Sequence, residues 1–178
     1  MLELAILGYL RKESLHGYEL KRRINWLAGH YRPVSDGALY PAIARLERQG
    51  FIIRHEEPGQ AGAPRQVLSL TRAGEVMLYE RLRQPEEMDI TDRNRFFTLL
   101  AFLRFLMPEE QLVILLRRYS FLEGGRSFFQ KNGVPISAGN ETDFYRKGML
   151  QIAREISAIE KKWLMEAIQN LQNGADST

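Results

Sequence analysis

Residues 35–52, SDGALYPAIARLERQGFI, combine a helix of two unlike faces with a stop that runs directly into extended chain. Leu39, Ile43 and Leu46 recur at the i, i+4, i+7 spacing of a buried stripe, and Ala42 widens it. Ser35 stands where an N-cap hydroxyl accepts a bond from an orphan N–H. Gly50 stands at the left-handed residue that ends a helix, and the apolar run from Phe51 to Ile53 starts a strand. At about 100° per residue, Gly37, Pro41, Ala44 and Arg48 lie opposite the stripe, flanked by Tyr40 and Arg45. Small residues let a helix approach another surface closely, and Arg and Tyr at the edges suit phosphates and base edges. Pro41 has no N–H and crowds the carbonyl of Gly37, which predicts a bent or irregular first turn. The competing reading is a core helix with small surface residues, and this segment alone does not separate the two.

The surrounding order decides. Residues 2–12 are apolar almost all round, so they form a helix covered on most sides. HGYELKRRINWLAG follows with Leu20, Ile24 and Leu27 on one face, and Gly29 ends it. After the connection HYRP comes the 35–50 helix, then two strand-like arms, residues 51–57 and 65–70. Between the arms PGQAGAP forms a long hairpin tip. Thr71 caps a fourth helix, RAGEVMLYERLR. Helix, helix, helix, hairpin, helix is the winged-helix variant of helix-turn-helix, with residues 35–50 as the helix that enters a major groove. The back of that helix packs into a small core and the front must fit a groove.

The second half has a different texture. RQPEEMDITDRN is polar and acidic, which places a domain boundary there: a winged-helix domain over residues 1–84 and a helical domain over 85–178. RNRFFTLLAFLRFLM and PEEQLVILLRRYSFLEGGRSFFQ read as helices, with Pro108 at a helix start, and KNGVPISAGN reads as a loop. A long helix over about 141–172 carries Tyr145, Met149, Ile152, Ile156, Ile159 and Trp163 at alternating steps of four and three, a heptad-like seam for packing against a second copy of the chain. The fold class expected is mainly α with a small β-hairpin.

Charge and composition restrict the function. Residues 1–84 hold 13 Lys/Arg against 9 Asp/Glu, and residues 85–178 hold 12 against 13. A first half of net +4 beside a second half of −1 permits contact with a polyanion. The absence of cysteine excludes disulfides, thiolate metal sites and cysteine nucleophiles. MLELAILGYLRKE has Glu3 inside it and no basic leader, so it reads as a buried helix rather than a signal peptide. No apolar run reaches the roughly 18 residues that span a bilayer, so a cytoplasmic protein without membrane contact is expected. His16, His30 and His55 share no metal-ligand spacing, and His16 before Gly17 reads as a backbone-bonding residue. Ser35 is explained by its cap position, and the acidic pairs Glu56–Glu57 and Glu86–Glu87 read as solvated. No enzyme, cofactor or metal is expected. The Phe-rich segment 96–106 reads as core; the sharper alternative is an apolar pocket between subunits, lined by Trp26 and Trp163, for a small aromatic effector.

Four ordered motifs, LAILGYL, HGYEL at 16–20, residues 35–52, and PRQVLSLTRAGE at 64–75, resemble the PadR family of bacterial transcriptional regulators in its longer form. The resemblance implies a homodimer that binds a palindromic operator in double-stranded DNA, usually as a repressor. It places Ser35, Gly37, Tyr40, Pro41 and Arg45 at the recognition-helix positions that meet DNA, Tyr18 and Lys21 in the supporting helix, and Arg65 in the wing. On the residues themselves, Tyr40, Lys21 and Arg48 suit phosphates, and Arg45 suits a base edge. The alternative is a winged-helix module that docks a partner protein on the same front face.

Overall fold

A helix without a solvent face organises the first half of the chain. In the computed structural model, which describes residues 1–28, 33–57, 65–124, 130–131, 134–136 and 138–175, helix α1 spans Leu2–Leu10 and is buried continuously from Leu4 to Leu10. Three helices and a strand cover it: α2 (Gly17–Ala28), α3 (Asp36–Arg48), α4 (Arg72–Arg83) and β3 (Arg65–Leu70). Leu20, Leu39, Ile43, Leu46, Ile52, Leu78 and Leu82 complete this core at 1% exposure or less. Each such side chain contributes about 1.5–3 kcal/mol relative to exposure.

The wing is three-stranded rather than the two-stranded hairpin expected. Strand β2 (Ile52–Glu57) pairs antiparallel with β3, and β3 also pairs with β1 (Leu15–His16). His16 bonds through Nδ1 to the Gln66 carbonyl oxygen at 3.0 Å, which fixes β1 at the edge. The hairpin tip and the end expected for α2 at Gly29 lie outside the described residues. Thr71 caps α4 as expected, accepting from the Gly74 N–H at 3.0 Å. Its hydroxyl lies 2.7 Å from the Gly50 carbonyl oxygen, so the cap of α4 also ties down the end of α3. Gly74 is required here, since a Cβ would lie 2.0 Å from the Phe51 carbonyl oxygen.

The chain divides into two compact units, Met1–Leu106 and Met107–Thr178. The first therefore runs past the boundary expected at residue 85. The acidic stretch in which the boundary is expected supplies caps for two short helices, α5 (Glu87–Thr91) and α6 (Arg93–Leu100). The Glu86 N–H donates to Asp89, and Asp92 accepts from the Arg95 N–H. Arg95 in turn donates Nε to Asp89 Oδ1 at 2.7 Å. The single helix expected over 93–107 ends at Leu100, and a 3-10 turn follows at Leu103–Phe105. That turn keeps Phe102 buried against α1, edge-on to Tyr9 at 5.2 Å between ring centroids.

In the second unit α7 (Pro108–Glu123) packs against α8 (Phe144–Ala175), with Pro108 at the helix start as expected. Leu150, Glu160, Leu164 and Ile168 are the buried positions of α8, and Ile114, Leu115 and Arg118 those of α7. Arg118 Nε donates to Glu160 Oε1 at 2.7 Å, with side chains 2% and 7% exposed. The segment 131–140, read as a loop, contains all but Gln130 of a short hairpin, β4 (Gln130–Lys131) paired with β5 (Val134–Pro135).

Two outcomes test this packing. A Cβ at Gly8 would lie 2.5 Å from the Phe102 ring, so Gly8→Ala is expected to cost about 1–3 kcal/mol in thermal unfolding, with Phe102→Leu restoring part of it. Glu160→Ala removes the carboxylate facing a buried guanidinium and is expected to cost about 3–5 kcal/mol, whereas an apolar replacement of both partners is far milder.

Candidate nucleic-acid interface

Helix α3 has the two faces its sequence describes. Leu39, Ala42, Ile43 and Leu46 are buried, while Gly37, Pro41, Ala44 and Arg48 are exposed in a row on the other side. Gly50, at φ 74°, ends the helix: its N–H bonds to the Glu47 carbonyl and that of Phe51 to the Leu46 carbonyl, the Schellman pattern. The expected role of the Ser35 hydroxyl is corrected. Ser35 holds the N-cap position in extended conformation, yet its side chain accepts no cap bond; its carbonyl accepts from Ala38 and Leu39 instead. The expected irregularity at Pro41 is also absent, and the helix runs unbroken through it. Gly37, whose carbonyl faces the missing N–H, is exposed to water.

The flanks are held by ion pairs to neighbouring elements. Lys21 of α2 bonds Asp36 in the first turn of α3 at 2.8 Å. On the wing side Glu47 takes Arg54 of β2 bidentately at 2.9 and 2.8 Å. On the α1 side Arg45 donates Nε to Glu3 Oε1 at 2.6 Å, with its Nη2 also 2.6 Å from that oxygen, and Arg81 of α4 pairs through Nη2 with Glu3 Oε2 at 2.8 Å. The Arg45 side chain remains 49% exposed and that of Glu3 only 17%. Arg48, at the C-terminal end of the front, makes no ion pair among the described residues. Tyr40 is half exposed, with its ring at ordinary contact distance, 3.5 Å, from where a Cβ on Gly17 would sit. Tyr18 is exposed on α2, and Arg65 is exposed at the start of β3, paired across from Glu57.

Glu3, Asp36, Glu47, Arg54 and Arg81 are the members of this surface that sequence reasoning missed. The one available signal was a carboxylate inside an otherwise buried helix, which needs a cationic partner. Burial pushes the Glu3 carboxyl up, but the hydrogen bonds and charges of Arg45 and Arg81 outweigh it and hold the carboxyl below its ordinary value.

The six residues of the α8 seam, Tyr145, Met149, Ile152, Ile156, Ile159 and Trp163, are 39–83% exposed. They lie beside, not within, the buried stripe that meets α7. Trp26 in the first unit and Trp163 in the second are both exposed, while Phe96 and Phe102 are core. Among the described residues no group of three or more His, Cys, Asp or Glu could hold a metal ion. No described helix is long and apolar enough to cross a membrane.

Residues 6–80 match the model of the transcriptional regulator PadR-like family. The transcriptional regulator YqjI of Escherichia coli (strain K12) is 38% identical over 90 residues, 49% of this chain but only 41% of that protein. The negative transcriptional regulator PadR of Bacillus subtilis (strain 168) is 25% identical over 171 residues, 92% of this chain and 93% of that one. A crystal structure of Bacillus subtilis PadR in complex with operator DNA is 23% identical, covering 94% of this chain and 98% of that chain at a TM-score of 0.46. These relatives are transcriptional regulators, not enzymes.

The Glu3 pairs give a signed pH dependence. A carboxyl held below its unfolded value of 4.5 stabilises the fold fully above that value and loses its contribution as pH falls through the lower folded value. The stability difference between the wild type and Glu3→Gln is therefore expected to be flat from pH 7 to about 5 and to shrink below it. Urea unfolding at stepped pH measures this, and a difference that widens on acidification would contradict it.

Proposed function

We propose that this chain, whose residues 6–80 match the PadR-like family of transcriptional regulators, is a sequence-specific, double-stranded DNA-binding repressor, cytoplasmic and homodimeric. The observation that carries the reading is α3 itself, with its back wholly buried and its front reduced to Gly37, Pro41, Ala44 and Arg48, which makes no ion pair among the described residues. Such a front enters a major groove without steric conflict and carries one long cation at its C-terminal end. The name of the Bacillus subtilis relative, a negative regulator, supports repression.

In this reading Arg48, Tyr40 and Lys21 meet phosphates, Arg45 meets a base edge, Ser35 and Tyr18 flank the groove, and Arg65 follows the wing. The uncovered seam of α8 holds two copies together, and their two-fold axis selects a palindromic operator with half-sites about 34 Å, or a multiple of that, apart. A small aromatic effector releases the operator by favouring a dimer with a different spacing between the recognition helices; it needs unequal affinity for the two states.

Selection from a pool of randomised duplexes, followed by fluorescence anisotropy with the selected and a scrambled duplex, tests the reading. Enrichment of a palindrome, with affinity that falls as salt rises, is expected. Arg45→Ala should cost about 1–3 kcal/mol on the selected duplex and relax one base position. Ile152→Glu with Ile159→Glu should yield monomers by sedimentation and much weaker operator binding, because both side chains are exposed and neither supports the α7 contact. Failure to enrich any sequence overturns the reading. The pairing of Lys21 and Arg45 with acids also suits a protein-docking face, and binding of a protein partner indifferent to salt would favour that alternative.

A further inference from the structure

Besides its apolar packing against α3, helix α1 offers that helix one charged side chain, and the way that side chain divides its two oxygens has a functional meaning. Glu3 Oε1 is taken by Arg45 of α3, and Glu3 Oε2 by Arg81 of α4. Arg45 uses Nε and Nη2 for this contact. A guanidinium has five N–H donors in a fixed planar fork. With Nε bonded and Nη2 close to the same oxygen, the side edge of the guanidinium faces Glu3, and the end-on edge, made of Nη1 and the outer hydrogen of Nη2, stays unspent. That edge has the geometry for a bidentate contact with adjacent acceptors such as O6 and N7 of guanine.

We propose that Glu3 is a positioning residue for DNA reading: anchored by Arg81, it holds Arg45 by its side edge and sets the end-on edge for a base. The proposal rests on the reading of α3 as the DNA-facing helix. Three observations argue for presentation rather than sequestration. Arg45 remains 49% exposed while paired. Glu3 is 17% exposed, on a helix whose next seven residues are buried, so its carboxylate is fixed by the core rather than by Arg45. The second oxygen is already satisfied by a cation from another helix, so the trio carries a net positive charge toward a polyanion. A free arginine would lose side-chain entropy on reading a base, and one already held loses less.

The test uses the full-length chain and the duplex selected by the wild type. Glu3→Gln keeps the size of the side chain and removes its charge. Expected is a loss of about tenfold in the ratio of selected to scrambled affinity, at the base position that Arg45→Ala relaxes. The double variant Glu3→Gln/Arg45→Ala should be no less selective than Arg45→Ala alone, since both act through one contact. Thermal unfolding of each variant separates folding from reading, because lost stability alone does not change a ratio between two duplexes. In the free protein, the Arg45 Nε–H signal in a nitrogen-15 NMR spectrum should be protected in the wild type and exchange rapidly in Glu3→Gln. Should Glu3→Gln fail to fold, Arg81→Gln takes its place and should reduce selectivity by loosening Glu3. Unchanged selectivity in the variant that folds overturns the proposal, and so does a gain in operator affinity, the mark of a carboxylate that competes with DNA. If the wild type selects no sequence at all, the DNA reading itself fails and this proposal falls with it. Selection by the wild type with unchanged Glu3 and Arg81 variants removes the positioning role alone.

Discussion

The first unit depends on a helix that has nowhere to expose itself. Seven consecutive residues of α1 are buried, so no orientation leaves it a polar side, and the elements around it must supply apolar surface in every direction. The stripe of α3, the stripe of α2 and the inner face of the wing are answers to that one demand. The extension of the unit to Leu106 follows from it as well, for Phe102 covers the part of α1 beside Gly8 that the winged helix alone leaves open. The front of α3 is free because its back is fully committed.

Much of this was legible before any coordinates. The order of elements, the heptad-like run in the last helix, Gly50 at positive φ and Thr71 as a cap all rest on short-range chemistry that a few neighbouring residues determine. What was missed has another physical origin. Strand β1 is two residues long, too short to carry a period, and exists because β3 offers it an edge. The stretch around residue 89 has the composition of a linker, but its acids are caps, and only the positions of the N–H groups they accept from reveal that. Ser35 had the right residue type at the right place and still makes no side-chain cap.

The candidate interface was legible in outline and not in its electrostatics. Periodicity placed Gly37, Pro41, Ala44 and Arg48 on one face, and they are exposed together. Periodicity says nothing of what lies beside that face. Glu3 and Arg45 are far apart in the chain, and so are Lys21 and Asp36; both pairs depend on how helices cross. The flanks of α3 are consequently largely neutralised: Lys21–Asp36 and Arg54–Glu47 cancel, Arg45 and Arg81 leave one positive charge over Glu3, and Arg48 at the helix end makes no ion pair among the described residues. A surface of this kind discriminates more through fit and fixed donors than through bulk attraction, which agrees with a first half that is only modestly basic.

The buried pair Arg118–Glu160 has a mechanical meaning beyond the energy of the contact. The buried and exposed stripes of α8 are carried by one rigid helix, so any roll of α8 over α7 turns both by the same angle. An apolar interface tolerates such a roll, because greasy side chains can slide past one another at little cost. A charge pair in a dry interface does not, since it is satisfied in one register only. The pair thus works as a key in a shaft: it fixes the direction in which the exposed stripe faces.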